Sequence, residues 1–341
     1  MRQNVYLIIV SLFTTLAVSS CRWDDIRPPN GRTEIPLNIY YLNTVGVRAT
    51  VWVTVNGVSN EVIFDTGSWG LRMVKGALSS AGVATEAGAP EYGYGGDFLI
   101  KGSVGQGNFS VGYLSSDVKL MLIDSYSVNQ AQSWTSTLDS TTIHSLHFNS
   151  WPGILGVGLR NSSSSVGITN PFAQLPGNGK YIVRFPLFGG NKGTVLINPT
   201  DDDVAGFKLL NLIEGAYQLP NGMNSWLDNE VYGYVNIDGD IIQAPTLLDT
   251  GNPIVYVYGA TPAAGFVRIG ENVTLGINTS LSSTHLIDTS FVVTPATINQ
   301  NWIYMIRSTV PQIAFGTDFF FYYDVLYDQA NGVIGIKKKA P

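Results

Sequence analysis

The tripeptide Asp-Thr-Gly occurs twice in this chain, each time directly after apolar residues. The first copy is Asp65–Gly67, and the second, about half a chain later, is Asp249–Gly251. Two carboxyl groups about 3 Å apart cannot both ionise, so they share one proton and can act on a water as an acid–base pair. The two triplets therefore predict a pair of catalytic aspartates, Asp65 and Asp249.

The alternative for a single triplet is ordinary turn chemistry, in which Asp bonds nearby backbone and Gly supplies a positive φ. A second repeated element argues against that alternative. The segments Gly153–Gly158 and Ile313–Gly316 each follow one triplet, and each is an apolar stretch ending in glycine. A buried strand that crosses close to another backbone needs such glycines. Repeated order of elements indicates a duplicated fold that brings the two aspartates together.

These motifs resemble the pepsin-like aspartic proteases. The segment Val51–Ser68 is similar to that family's first hairpin and first aspartate, and Gly153–Gly156 is similar to its Gly-Ile-Leu-Gly loop. The segment Phe315–Gly335 resembles its closing motif, and Phe64–Arg72 resembles a poorly characterised bacterial branch. The resemblance covers about residues 36 to 337. It implies a two-lobed all-β fold with a central cleft, and aspartic endopeptidase activity on a peptide or protein substrate.

The resemblance also implies a role for each residue of the first triplet and its counterpart. Asp65 and Asp249 would hold the nucleophilic water between them. Thr66 and Thr250 match the residues whose hydroxyl groups cross-brace the two loops. The remaining active-site loop residues are Gly67, Ser68, Gly251 and Asn252.

Two residues in or near these loops, Asn252 and Arg72, depart from the family pattern. Gly67 and Gly251 would keep the cleft floor open, and Ser68 would hydrogen-bond the outer oxygen of the first aspartate. Asn252 stands where the family usually has Thr or Ser. Arg72 stands where the family has a Trp that supports a tyrosine of the flap, the hairpin that closes over the substrate.

The flap is expected in the segment Glu91–Asp97, which alternates tyrosine and glycine. Counting back from Gly105 favours Tyr94 as the flap tyrosine, with Tyr92 as the alternative. An exposed hairpin edge without a function is a further reading of the same pattern.

Composition supports an all-β fold. Many short runs of Val, Ile, Thr and Tyr are bounded by Gly, Asn, Ser or Asp, and only 13% of the 341 residues are charged. We expect an N-terminal lobe at residues 36–188 and a C-terminal lobe at 193–341, joined by the glycine-rich turn Phe188–Gly193. Each lobe would be a twisted, orthogonally packed β structure.

The N-terminus is typical of a bacterial lipoprotein. Residues 1–20 contain Arg2 and then a 14-residue apolar segment, Val5–Val18, which suits a signal peptide. Cys21 is the only cysteine and directly follows small residues, so it is expected to be acylated. Residues 21–35 would be a lipid-anchored linker, and the protein would lie in the cell envelope, facing the periplasm or the surface. A plain leader with an incidental thiol is the alternative.

Other functions find little support in the sequence. The net charge of −6 and the lack of a large basic block argue against nucleic acid as a partner. No cofactor and no metal site are predicted, since neither Asp201–Asp203 nor the pair His144 and His147 has a full ligand set. A monomer is expected. The main rival to an enzyme is a non-catalytic lipoprotein that binds a protein or glycan on the same fold.

Overall fold

The structure is a computed structural model and describes residues 31–42, 46–95, 98–127, 150–162, 166–259, 264–280, 285–294 and 303–340. The predicted signal peptide, Cys21, His144 and His147 lie outside these ranges. Nearly all regular structure is β, so the predicted all-β class is confirmed. The first strand begins at Thr33, so the last three residues of the predicted linker belong to a sheet.

Twelve strands precede residue 212. They are β1 (Thr33–Leu42), β2 (Gly46–Val55), β3 (Val58–Asp65), β4 (Trp69–Val74), β5 (Ala84–Glu86), β6 (Glu91–Tyr94), β7 (Phe98–Val111), β8 (Leu114–Ser127), β9 (Gly153–Val157), β10 (Lys180–Arg184), β11 (Lys192–Ile197) and β12 (Lys208–Asn211).

Twelve more strands follow in the described part of the chain. They are β13 (Glu214–Gln218), β14 (Asn224–Trp226), β15 (Val231–Ile237), β16 (Asp240–Leu248), β17 (Val255–Gly259), β18 (Gly265–Phe266), β19 (Asn272–Asn278), β20 (His285–Val292), β21 (Ile303–Arg307), β22 (Gln312–Phe315), β23 (Tyr323–Asp328) and β24 (Val333–Lys338).

The described helices are short. They are a 3-10 helix (Lys75–Leu78) and the α-helices α1 (Pro171–Gln174), α2 (Asp201–Val204) and α3 (Thr317–Tyr322). None of the helices within the described ranges has the length and apolar character needed to cross a membrane.

The strands form one large sheet, one smaller sheet and a separate hairpin. The large sheet has 14 strands in the order β12-β24-β23-β10-β11-β1-β2-β3-β9-β4-β8-β7-β5, with β6 beside β7. A further pairing of β2 with β7 closes part of this sheet on itself. The smaller sheet has eight strands in the order β18-β21-β17-β22-β16-β15-β19-β20, and β13 pairs with β14. The predicted turn between lobes, Phe188–Gly193, starts in the segment that joins β10 to β11 and ends within β11. Both strands lie in the large sheet.

One arrangement of strands occurs twice. In the first half β3 runs parallel to β9, which is antiparallel to β4, and β4 is parallel to β8. In the second half β16 runs parallel to β22, which is antiparallel to β17, and β17 is parallel to β21. Each Asp-Thr-Gly follows the first strand of its set. The duplication expected from the sequence is therefore present in the strand topology.

Glycine allows the close backbone crossings inside both sets. A Cβ atom on Gly156 would lie 2.7 Å from the Ser68 hydroxyl and from the Trp69 backbone. A Cβ atom on Gly316 would lie 2.1 Å from the carbonyl oxygen of Ile254. Both distances are far below van der Waals contact, so the prediction that these glycines mark close crossings is confirmed.

The hydrophobic core is shared between the halves. All five residues of β9 are buried, as expected for a central strand covered on both faces. One buried cluster includes Phe64 before the first triplet and Leu248 before the second. In the same cluster the rings of Tyr181 and Tyr327 stack with centroids 5.0 Å apart, and the Tyr181 hydroxyl donates to the Val157 carbonyl. Packing of this kind fixes the two triplets relative to each other.

The acidic run Asp201–Asp203, which the sequence does not predict to be a metal site, begins α2. Thr200 and Asp203 make a capping box, in which the Thr200 hydroxyl accepts from the Asp203 amide and Asp203 accepts from the Thr200 amide. The Arg32 guanidinium donates to both Asp203 oxygens at 2.9 Å, which holds the pKa of Asp203 well below its usual range. The Asp203 carboxylate thus ties the start of β1 to α2.

Replacing Asp203 with Ala is expected to lower the free energy of unfolding at pH 7 by about 1 kcal/mol, the usual cost of losing a helix cap. Because the folded pKa of Asp203 is depressed, this stability is present above the unfolded pKa and is lost as the pH falls through the folded value. Urea denaturation at pH 7 and pH 3 measures both effects. Asp202→Ala, in the same turn, is the control, and an equal loss in both variants would contradict the assignment.

Candidate active site

The two Asp-Thr-Gly triplets meet at the junction of the duplicated strand sets. Asp65 is the last residue of β3 and lies opposite Gly156 of β9. Asp249 directly follows β16, and its amide donates to the Phe315 carbonyl of β22 at 2.8 Å. Each aspartate is thus placed by a parallel strand pair, so its backbone position is set by the sheet and not by a free loop.

The two threonines cross-brace the loops with four buried hydrogen bonds. The Thr66 hydroxyl donates to the Leu248 carbonyl at 2.8 Å and accepts from the Thr250 amide at 3.0 Å. The Thr250 hydroxyl donates to the Phe64 carbonyl at 2.8 Å and accepts from the Thr66 amide at 3.0 Å. Both side chains are fully buried. The structure therefore places Thr66 and Thr250 in the arrangement implied by the resemblance.

The two glycines receive the carboxyl groups of the opposite loops. A Cβ atom on Gly67 would lie 2.2 Å from the carboxyl carbon of Asp249. A Cβ atom on Gly251 would lie 2.5 Å from the carboxyl carbon of Asp65. Any side chain at either position would collide with a carboxylate, so only glycine permits this approach. Each carboxyl group therefore lies against the backbone of the opposite loop.

Hydrogen bonding to the two carboxyl groups is unequal. Asp65 accepts from the Gly67 amide at 2.7 Å, the Ser68 amide at 3.2 Å and the Ser68 hydroxyl at 2.5 Å. Asp249 accepts from the Gly251 amide at 2.9 Å. In the described structure no hydrogen bond joins the Asn252 side chain to Asp249, although its backbone amide donates to the Asp249 carbonyl. Hydrogen bonds to a carboxylate favour its charged form, so the negative charge of the pair belongs mainly on Asp65.

Burial and the charge of Asp65 together raise the pKa of Asp249 well above its usual range. The hydrogen bond with Asp65 raises it further, and the Gly251 amide and Arg160 oppose the rise. The raised pKa favours the protonated form of Asp249. Because the two groups interact, their titration belongs to the pair.

Two arginines that the sequence analysis did not consider contact the same loops. The Arg160 guanidinium donates to the Gly67 carbonyl at 2.5 Å, and Arg48 donates to the Gly251 carbonyl. Burial lowers the pKa of Arg48, and the charges of the two aspartates oppose that effect. Each guanidinium thus fixes the last residue of one triplet and places a positive charge beside the carboxyl pair.

Arg160 is itself held by a buried acid. Its Nε lies 2.6 Å from the Asp228 carboxylate, which also accepts from the Leu159 amide at 2.7 Å. Burial raises the pKa of Asp228, and Arg160 opposes the rise. The sequence signal that could have found these arginines is a charged residue at or in an apolar run. Arg160 directly follows the apolar segment Gly153–Leu159, and Arg48 lies within β2.

The candidate flap is the hairpin of β6 and β7. Tyr94 pairs with Phe98 and Glu91 pairs with Lys101, and residues 96–97 at the tip lie outside the described ranges. Tyr92 packs edge-on against Trp69 with ring centroids 5.4 Å apart. The hairpin therefore reaches the strand that follows the first triplet.

Tyr92 packs against Arg72 of β4. The Arg72 guanidinium carbon lies 3.4 Å from the Tyr92 ring centroid and 6.0 Å from that of Tyr94. The Tyr94 ring lies tilted beside that of Tyr92, with centroids 4.9 Å apart, and also contacts Phe98. Burial raises the pKa of both tyrosines, so both stay protonated at neutral pH. The expectation that favoured Tyr94 over Tyr92 stays a prediction.

A small pocket lies between the hairpin and β4, the strand that follows the first triplet. We call it the flap pocket. Its walls include Trp69, Arg72, Glu91, Tyr92, Met121 and Ser162.

No group of three or more His, Cys, Asp or Glu side chains within the described ranges is arranged to hold a metal ion. The chemistry that the arrangement offers is that of two adjacent carboxyl groups with one proton between them.

Comparison of the sequence with models of protein families finds no match, and comparison with curated proteins finds none either. Assignment to a family therefore depends on the motifs and on the geometry of the site.

Thr66→Val is expected to lower the free energy of unfolding by about 1–3 kcal/mol, because the buried Thr250 amide loses its partner. The Leu248 carbonyl keeps the Tyr327 hydroxyl at 3.4 Å. Thr66→Ser keeps the hydroxyl and is expected to cost about 1 kcal/mol. Guanidinium denaturation measures both values.

The double variant Thr66→Val/Thr250→Val should cost less than the sum of the two single variants, since the side chains belong to one network. Equal losses for Thr66→Val and Thr66→Ser would contradict the cross-brace.

Proposed function

We propose that the protein is a pepsin-like aspartic endopeptidase that hydrolyses peptide bonds with a water activated by Asp65 and Asp249. The observation that carries this proposal is the reciprocal packing of the two triplets. Each carboxyl group lies against the glycine of the opposite loop, and the threonines bind each other's backbone across the junction. The proposed reaction needs two carboxyl groups that share one proton, and this packing would hold them together.

In the proposed reaction the two aspartates have different roles. The charged Asp65 takes a proton from the water as the water oxygen attacks the peptide carbonyl carbon. Asp249 gives its proton to the carbonyl oxygen, which yields a tetrahedral diol. Asp65 then passes its proton to the amide nitrogen, the C–N bond breaks, and a diol hydroxyl returns a proton to Asp249. No acyl-enzyme forms, and the pair ends in its starting state.

The hairpin of β6 and β7 would act as the flap that excludes water and positions the substrate. Tyr92 is favoured as the flap tyrosine because it rests on Arg72, the residue that stands in place of the family's supporting Trp. Arg72 would then support the tyrosine through its guanidinium face, in a cation–π contact, where the family uses an indole.

The site is proposed to act on a peptide or protein substrate at the bacterial cell envelope. Acylated Cys21 would hold a monomer on the membrane, with the linker between anchor and sheet. The non-catalytic binding protein remains the rival proposal. Catalysis is favoured because both triplets keep their Asp and their Gly, and because the two carboxyl groups lie together.

We expect soluble protein that starts at Arg22 to cleave denatured proteins and library peptides between pH 3 and pH 7. Asp65→Asn and Asp249→Asn should each lower kcat/KM by about a thousandfold or more, because each removes one half of a cooperating pair. Activity should fall as the pH rises past the raised pKa of Asp249, since the pair then loses its shared proton. Peptide mass spectrometry and initial rates measure these effects.

Asp202→Asn is the matched control, since this exposed carboxylate lies in α2. Cleavage that survives in both active-site variants would contradict the proposal. So would a complete lack of cleavage by protein whose fold is verified by circular dichroism, and the binding protein would then be favoured.

A further inference from the structure

We propose that the flap pocket binds an acidic side chain of the substrate and that Arg72 is its counter-charge. This inference rests on the proposed function, since it names the substrate class of the same cleft. Arg72 would be a specificity-determining residue, and a peptide with Glu or Asp at one position near the scissile bond would be the preferred substrate.

The first observation is the position of Arg72. It lies on β4, the strand that directly follows the first aspartate loop, and its side chain lines the flap pocket although the residue is only 3% exposed. Its guanidinium donates to the Gly70 carbonyl at 3.2 Å and stacks on the Tyr92 ring. These contacts hold the side chain in place but supply no negative charge.

The second observation is the balance of charge around the cleft. Arg48, Arg72 and Arg160 bring three guanidinium groups to the triplets and the pocket. Two negative charges face them, namely the Asp228 carboxylate, which pairs with Arg160, and the single charge of the aspartate pair. Among the described residues no ion pair includes Arg72. A buried charge without a counter-ion raises the free energy of the folded protein. An anion of the ligand would therefore be the counter-ion of Arg72.

Glu91 is the acidic residue in the wall of the flap pocket, and it is not the counter-ion of Arg72. Its carboxylate pairs with Lys101 at 3.1 Å, and its side chain is 52% exposed. Glu91 and Lys101 are cross-strand partners in the hairpin, so each compensates the other at the surface. The charge of Arg72 is therefore not balanced by the pocket's own acid.

The chemistry of the group also favours a carboxylate. A guanidinium offers several N–H donors in a planar fork that matches the two oxygens of a carboxylate. The Ser162 hydroxyl lies in the same wall. Tyr92, which covers the guanidinium, belongs to a short strand that pairs with β7 in the described structure, and its ring packs against Trp69 and Tyr94.

The test begins with the cleavage sites that wild-type protein shows in a peptide library at pH 6, where a free Glu is ionised. From one good substrate a matched set is made, with Glu or Gln placed singly at each of the three positions on either side of the scissile bond. At one position Glu should give a kcat/KM about tenfold or more above that of Gln, since buried hydrogen bonds to charged groups have that strength.

Arg72→Met should abolish the preference, and Arg72→Lys should keep its direction. Lys75→Met is the matched control, because it removes a cation from the surface directly after β4. Wild-type protein that cleaves the Glu and Gln peptides equally at every position would overturn the inference and leave the proposed function standing. The wild-type comparison does not depend on whether Arg72→Met folds.

A binding measurement separates the two proposals if no peptide is cleaved. Fluorescence anisotropy with labelled peptides that differ only in Glu or Gln content, on Asp65→Asn protein, reports the pocket without catalysis. Tighter binding of the Glu peptides that is lost in Arg72→Met supports the acidic ligand even without hydrolysis. Equal binding overturns it.

Discussion

Two carboxyl groups that lie together in a largely buried place repel each other unless they share a proton, and the rest of the structure is arranged around that constraint. The repulsion would drive the loops apart if they were held only by local turns. Four hydrogen bonds between Thr66, Thr250 and the strands before them hold the loops together, and parallel strand pairs fix the backbone on each side. The duplication of the strand set supplies both halves of this junction.

Electrostatics around the pair makes the two aspartates unequal. Ser68 adds two hydrogen bonds to Asp65, while Asn252 in the corresponding place bonds Asp249 only through its backbone. Arg48 and Arg160 then place positive charge on the carbonyl groups of the two triplet glycines. In a chain with few charged residues, this concentration of buried arginines sets the site apart from the rest of the core. It places positive charge beside the two carboxyl groups.

The sequence predicts the parts of this site that depend on local pattern. Repeated triplets and repeated apolar segments indicate the duplication and the meeting of Asp65 with Asp249. Short runs of Val, Ile, Thr and Tyr between turn residues indicate the all-β class. The glycines at Gly156 and Gly316 follow from the need for close crossings.

Other features depend on long-range packing, which leaves no local pattern. The contacts of Arg48 with Gly251 and of Arg160 with Asp228 join residues 203 and 68 positions apart. The pairing of Asp203 with Arg32 joins residues 171 positions apart. The proposal of Tyr92 rather than Tyr94 as the flap tyrosine depends on the position of Arg72. The alternation of tyrosine and glycine in the sequence does not predict that position.

The central claim is that Asp65 and Asp249 share one proton, with the proton on Asp249. Carbon-13 NMR of protein labelled at the aspartate carboxyl carbons tests it directly, with Asp249→Asn used to assign the resonance. We expect one carboxyl group to titrate well above the usual aspartate value of about 3.9 and to titrate at lower pH in Asp65→Asn, where the neighbouring charge is gone. If the Asp249 resonance titrates in the ordinary range and is unchanged by Asp65→Asn, the two carboxyl groups do not form a pair.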